Sequence, residues 1–224
     1  MIRPAERLRT RPSPPRSGDS PAGLLPLGLG EPRDGMHFVP SSYDPAVPLP
    51  LVVMLHGAGG DARGALEPFL PRADEAGMIL LAPESRGRTW DVLLGGYGRD
   101  VGFIDRALQV TMDRYAVDGT RVAVEGFSDG ASYALGLGLG NGDLFSAVVA
   151  FSPGYAPPAT PQGRPRLFLS HGVRDEVLPI DRCSRRIVPR LRRLNYEVEY
   201  VEFDDGHTVP EAIVDHALAW LAPP

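Results

Sequence analysis

The stretch Arg121-Val122-Ala123-Val124-Glu125-Gly126-Phe127-Ser128-Asp129-Gly130-Ala131-Ser132-Tyr133-Ala134 decides how the rest of the chain is read. It opens as a short apolar run of strand character, passes through a Gly-x-Ser-x-Gly pentapeptide, and continues into small residues suited to a helix packed close to a sheet. A strand that turns sharply into a helix holds the intervening serine in strained backbone geometry. The flanking glycines are needed because side chains there would strike the neighbouring strand or helix. In a chain with 26 glycines the pentapeptide alone says little. Its place directly after an apolar run makes Ser128 the candidate nucleophile.

The same strand-to-helix alternation extends outward on both sides. Apolar runs at 51–55, 78–82, 122–124, 147–151, 167–169 and 198–203 read as strands, most of them buried on both faces. Helical stretches are expected between and after them, at about 64–76, 99–115, 129–139, 181–194 and 210–221. This order implies a mainly parallel α/β sheet covered by helices on both sides. Upstream, the runs 24–29 and 36–39 flank Pro32-Arg33-Asp34-Gly35 and predict an antiparallel hairpin. Eleven of the 24 prolines fall in the first 50 residues, and five arginines fall in the first 16. Residues 1–23 are therefore expected to be a disordered leader, and residues 24–224 one catalytic domain without internal repeats.

In an open α/β sheet the reactive groups belong at the carboxyl ends of the strands. After the run 51–55 comes His56-Gly57-Ala58-Gly59-Gly60, a turn whose exposed N–H groups can face an oxyanion. With the N–H of the residue after the candidate nucleophile, this makes Ala58 and Asp129 the expected oxyanion donors, while His56 is expected to stabilise the loop. Chain order then selects the base. His37 and His56 precede Ser128, His171 ends a strand, and His216 lies on the last helix. His207 follows the last strand in Asp204-Asp205-Gly206-His207 and can reach over the sheet edge. Asp175, six residues past the run 167–169, is the expected orienting acid; Glu176, Asp181, Asp204 and Asp205 are its rivals.

Composition narrows the chemistry further. All 23 basic Lys+Arg residues are arginine, which excludes Schiff bases, PLP anchoring and a P-loop lysine. The one cysteine, Cys183, cannot close an intramolecular disulfide, and no Cys/His spacing suits a metal, so no cofactor and no metal are expected. The net charge of −5 divides into +4 over residues 1–16 and −9 over the remainder. An acidic body argues against nucleic acid as a partner. No segment has the length of a membrane span or a secretory core, so the expectation is a soluble, cytoplasmic protein acting on a small molecule.

Taken together, 56–60, the pentapeptide 126–130, His171-Gly172-x-x-Asp175-x-x-x-Pro179 and Gly206-His207 resemble the phospholipase/carboxylesterase branch of the α/β-hydrolases. They are also similar to feruloyl-esterase and polyhydroxybutyrate-depolymerase-like sequences. The resemblance covers roughly residues 24–222 and implies a serine carboxylesterase that works through an acyl-enzyme. Thioesterase and acyltransferase chemistry use the same triad, and a non-catalytic binding protein on this fold is the reading from another class. A Gln often follows the nucleophile in that family; here the position is Asp129, which keeps the backbone donor and adds a carboxylate. Trp90, Tyr97 and Tyr155 follow strands and could line a pocket or simply pack. Between the runs 147–151 and 167–169, residues 152–166 carry five prolines, too few residues and too many helix breakers for a lid.

Overall fold

Strands and helices alternate along the chain much as the apolar pattern requires. The computed structural model describes residues 6–15 and 20–222. A hairpin of β1 (Gly23–Pro26) and β2 (Gly35–Val39) leads into β3 (Leu49–Leu55), the short helices α1 (Ala62–Leu66) and α2 (Leu70–Glu75), and β4 (Ile79–Pro83). Then come α3 (Arg99–Arg114), β5 (Val117–Phe127), α4 (Asp129–Gly140), β6 (Ala147–Phe151), β7 (Arg166–Gly172), α5 (Ser184–Arg193), β8 (Val198–Phe203) and α6 (Glu211–Leu221). The eight strands form one sheet in the order β1-β2-β4-β3-β5-β6-β7-β8. β1–β2 and β2–β4 pair antiparallel, and every later pairing is parallel.

Two apolar layers sandwich this sheet. Val53, Val124, Val148 and Leu169 pack with Phe103, Leu108 and Leu135 on one face. Val52, Ala123, Val149 and Phe168 pack with Leu66, Phe69 and Ile213 on the other. Being covered twice, β4 and β6 are buried throughout, which is why they read as unbroken apolar runs. α4 is buried along its whole length after Asp129, so it shows no polar face.

Two expectations need correction. The single helix expected at 64–76 is broken into α1 and α2 around Pro68 and Phe69, because proline cannot donate to the helical ladder. The disordered leader is a larger departure. Residues 1–5 and 16–19 lie outside the described residues, but residues 6–15 are laid onto the body. Leu8 is 2% exposed and joins the core beside α3 and α4. Its N–H donates to Asn141 Oδ1 at 2.9 Å, and Asn141 Nδ2 donates to Glu6 O at 2.7 Å. Arg7 and Arg11 pair with Asp143, and the N–H groups of Arg9 and Thr10 donate to Asp105. The arginines read as solvated because Asp143, the partner of Arg7 and Arg11, lies 136 and 132 residues away in sequence.

The segment's contribution is measurable. Leu8→Ala leaves a cavity against α3 and α4 and is expected to cost about 3 kcal/mol in urea unfolding. An unchanged midpoint would mean that residues 6–15 do not hold this position in solution.

Candidate active site

The turn between β5 and α4 is sharp enough to drive Ser128 to φ 58° and ψ −117°, a left-handed conformation that a serine adopts only when its surroundings impose it. The flanking glycines explain how the turn closes. A Cβ on Gly126 would overlap the backbone of Gly130, and a Cβ on Gly130 would overlap the carbonyl of Leu55 at the end of β3. The Ser128 N–H donates to Phe151 O at 2.9 Å, which ties the turn to β6.

Two further strand ends complete the set. Asp175 lies in the loop after β7, and His207 lies in the loop between β8 and α6. His207 Nδ1 is 2.6 Å from Asp175 Oδ2, and His207 Nε2 is 2.8 Å from Ser128 Oγ. With Nδ1–H donating to the carboxylate, Nε2 is left to accept the serine proton. Phe127 packs on the other side of the imidazole, with ring centroids 4.7 Å apart. Ser128, His207 and Asp175 are thus brought together as the sequence reading expected, and the arrangement can move a proton from the serine hydroxyl to the imidazole.

Asp175 is held by more than His207. Its side chain is fully buried. Oδ1 accepts the N–H groups of Val177 at 2.9 Å and Leu178 at 2.7 Å. Burial by itself would raise its pKa, but the Leu178 N–H and His207 outweigh burial, so the carboxyl stays below the usual carboxylate range. His171, which ends a strand and opens the His171-Gly172-x-x-Asp175 motif, is part of this cluster: its Nε2 lies 3.2 Å from Asp175 Oδ2 and 2.8 Å from Leu178 O. Both are acceptors, so Nε2 carries the proton and Nδ1 accepts from Ser184 Oγ at 2.7 Å. The spacing His171…Asp175 was the available signal for this contact. The rival carboxylates are engaged elsewhere or exposed: Asp204 pairs with Arg174, Asp205 accepts from Gly206 N, Asp181 pairs with Arg185, and Glu176 is exposed.

Opposite the imidazole, the loop after β3 offers backbone donors. Among the described residues, neither the Ala58 nor the Asp129 N–H makes a hydrogen bond within the chain. His56 holds this loop: its Nε2 accepts from Ser85 N at 3.0 Å, its Nδ1 donates to Gly57 O at 2.7 Å, and its carbonyl accepts Trp90 Nε1 at 2.8 Å. Trp90 is fully buried between His56 and Tyr133, so it packs rather than lines a pocket. Tyr97 packs edge-on against Tyr133, whereas Tyr155 is 39% exposed. The Asp129 carboxylate accepts from Thr89 Oγ1 at 2.6 Å. Cys183 is buried, and burial pushes its thiol up, away from a reactive thiolate. Among the described residues, no three His, Cys, Asp or Glu side chains are grouped to hold a metal ion, and no helix is long and apolar enough to cross a membrane.

Comparison with known proteins gives a consistent family. The family model described as Phospholipase/Carboxylesterase matches residues 102–222. Feruloyl esterase C of Emericella nidulans is 29% identical over 157 residues, which cover 66% of this chain and 57% of that protein. Poly(3-hydroxybutyrate) depolymerase of Ralstonia pickettii is 32% identical over 116 residues, covering 44% of this chain and 24% of that protein. The chain therefore spans from about a quarter to just over half of these relatives. Among solved structures, esterase PE8 superposes with a TM-score of 0.69 at 23% identity, covering 89% of this chain and 98% of that one. The serine hydrolase FphF of Staphylococcus aureus, a fluorophosphonate-binding protein, superposes with a TM-score of 0.69 at 15% identity, covering 90% and 99%. These likenesses establish the fold.

The imidazoles that buttress the sheet and the site have a consequence for stability. Burial lowers the pKa of His56 and His171, and that of His37 in β2 to about 4. In the unfolded chain such groups titrate near ~6.5. Below that pH the unfolded chain takes up protons that these imidazoles refuse, so the stability they contribute is fully present above about 6.5 and declines toward pH 4. His37→Phe is expected to lose less of its urea midpoint than wild type between about pH 7.5 and pH 5. A midpoint difference between the two proteins that stays constant over this range would contradict the neutral imidazole of His37.

Proposed function

The chain belongs to the phospholipase/carboxylesterase family, and from that premise we propose that it is a serine carboxylesterase acting through an acyl-enzyme, with Ser128 as nucleophile, His207 as base and Asp175 as orienting acid. The observation that carries this reading is the unbroken hydrogen-bonded line from Ser128 Oγ through His207 to Asp175, set on three separate strand ends. In the first step Ser128 Oγ attacks the ester carbonyl as His207 takes its proton. The N–H groups of Ala58 and Asp129 hold the developing oxyanion, and the alcohol leaves with the proton returned from His207. Water, deprotonated by the same imidazole, then releases the acid. The relatives, a feruloyl esterase and a poly(3-hydroxybutyrate) depolymerase, favour oxygen esters over thioesters. A cytoplasmic setting belongs to the same proposal.

Substrate size follows from the segment between β6 and β7. It forms no helix and carries five prolines, so nothing in it can fold over Ser128 as a helical lid. Short and medium-chain esters, aromatic ones included, are the expected substrates.

Ser128→Ala and His207→Ala are each expected to lower kcat/KM on p-nitrophenyl acetate by about 10⁴-fold with the fold intact, and Asp175→Asn nearly as much. Wild-type rates in either of the first two variants would refute the assignment; a larger loss from Asp204→Asn than from Asp175→Asn would move the acid. Across p-nitrophenyl esters of increasing length the rate should fall for long chains, and a triglyceride emulsion should give no jump as its interface forms. Such a jump would reveal a lid.

A further inference from the structure

Three residues before Ser128, strand β5 carries a group that the mechanism does not use. Side chains alternate along the strand, so Val122 and Val124 pack with α3 and α4, whereas Ala123, Glu125 and Phe127 face the other layer. Glu125 is 4% exposed, and its carboxyl makes no hydrogen bond or ion pair among the described residues. A carboxyl buried without a partner is costly, and a site of purely structural importance would carry an apolar residue like its neighbours.

What the carboxyl does have is open space. It lines a cavity of about 310 Å³ together with Gly57, Ala58, Phe69, Phe127 and Val209. Ala58 is the proposed oxyanion donor, Phe127 lies against the His207 ring, and Val209 is two residues beyond His207. Ser128 and His207 are not in its wall, so the cavity adjoins them through Ala58, Phe127 and Val209. Its walls are mainly apolar and aromatic, and about 150 Å³ suffices for a benzene ring. A ring with a short chain fits the volume, and among the described residues Glu125 is the buried side chain in its wall whose polar atoms have no partner.

We propose that Glu125 is a specificity-determining residue whose carboxyl hydrogen-bonds an acceptor oxygen on the substrate moiety filling this cavity, selecting hydroxy- or methoxy-substituted aryl esters over unsubstituted ones. The inference deepens the esterase reading and rests on it. Burial pushes the carboxyl well above its ordinary range, so it keeps its proton and donates through O–H. An oxygenated ring satisfies that donor, whereas a bare ring leaves it unpaired.

The test compares wild type, Glu125→Leu and Glu125→Gln on two matched pairs of esters. Methyl phenylpropanoate and its ring-hydroxylated analogue place the ring in the acyl part; benzyl acetate and methoxybenzyl acetate place it in the alcohol part. Wild type is expected to favour the oxygenated member of one pair. Glu125→Leu is expected to abolish that preference by lowering kcat/KM for the oxygenated ester about 10-fold, mainly through KM, while Glu125→Gln, which keeps a donor, retains part of it. The Leu variant should also melt no lower than wild type, since it removes a buried unpartnered carboxyl. A wild-type enzyme that hydrolyses p-nitrophenyl acetate but shows no preference in either pair, or a preference that survives Glu125→Leu, overturns the role of Glu125. So do lowered melting temperatures in both variants with the preference unchanged. Failure of wild type on p-nitrophenyl acetate and all four esters would instead overturn the esterase reading and this inference with it.

Discussion

The close approach of α4 to the ends of β3 and β5 is the constraint on which the other features depend. Gly130, in the first turn of the helix, lies against the carbonyl of Leu55, and Gly126, the penultimate residue of β5, lies against Gly130. Between them a single turn must reverse the chain, and Ser128 absorbs the strain with a positive φ. Asp129 is the first residue of α4, so its N–H has no acceptor within the helix and stays free next in the chain to Ser128. Further along α4, a Cβ on Gly138 would overlap Val148, so small residues keep the whole helix pressed onto the sheet.

Each remaining part of the site is fixed from behind before it meets its neighbours. His56 braces the loop of Ala58 through Ser85 and Trp90. His171 and two backbone N–H groups set the Asp175 carboxylate, and Asp175 then sets the His207 ring. Such preorganisation lets hydrogen bonds act on developing charge without rearrangement. The strained Ser128 and the unpartnered Glu125 are local losses of stability that cluster at this end of the sheet, where function commonly outweighs packing.

The sequence was most legible where one residue's environment is set by its near neighbours. The apolar runs of β6 and β8 coincide with the strands to the residue, because both strands carry apolar side chains to both faces of the sheet and that is written locally. The Gly-x-Ser-x-Gly turn was readable for the same reason, and chain order sufficed to gather Asp175 and His207. Long-range pairing was not readable. Nothing near Arg7 or Leu8 announces Asp143 or Asn141, so a packed segment looked like a solvated one. Likewise Glu125 sits in an apolar run, and only the fold reveals that its neighbours across the sheet leave it a cavity and, among the described residues, no partner.

The central claim is that the strained serine is an activated nucleophile. Its most direct test is to treat the folded protein with an alkyl fluorophosphonate and locate the adduct by intact mass and peptide mapping. The account predicts one phosphonyl group per chain, on Ser128, formed rapidly and slowed severely by His207→Ala. No adduct, an adduct on another residue, or labelling that His207→Ala leaves unchanged would contradict it.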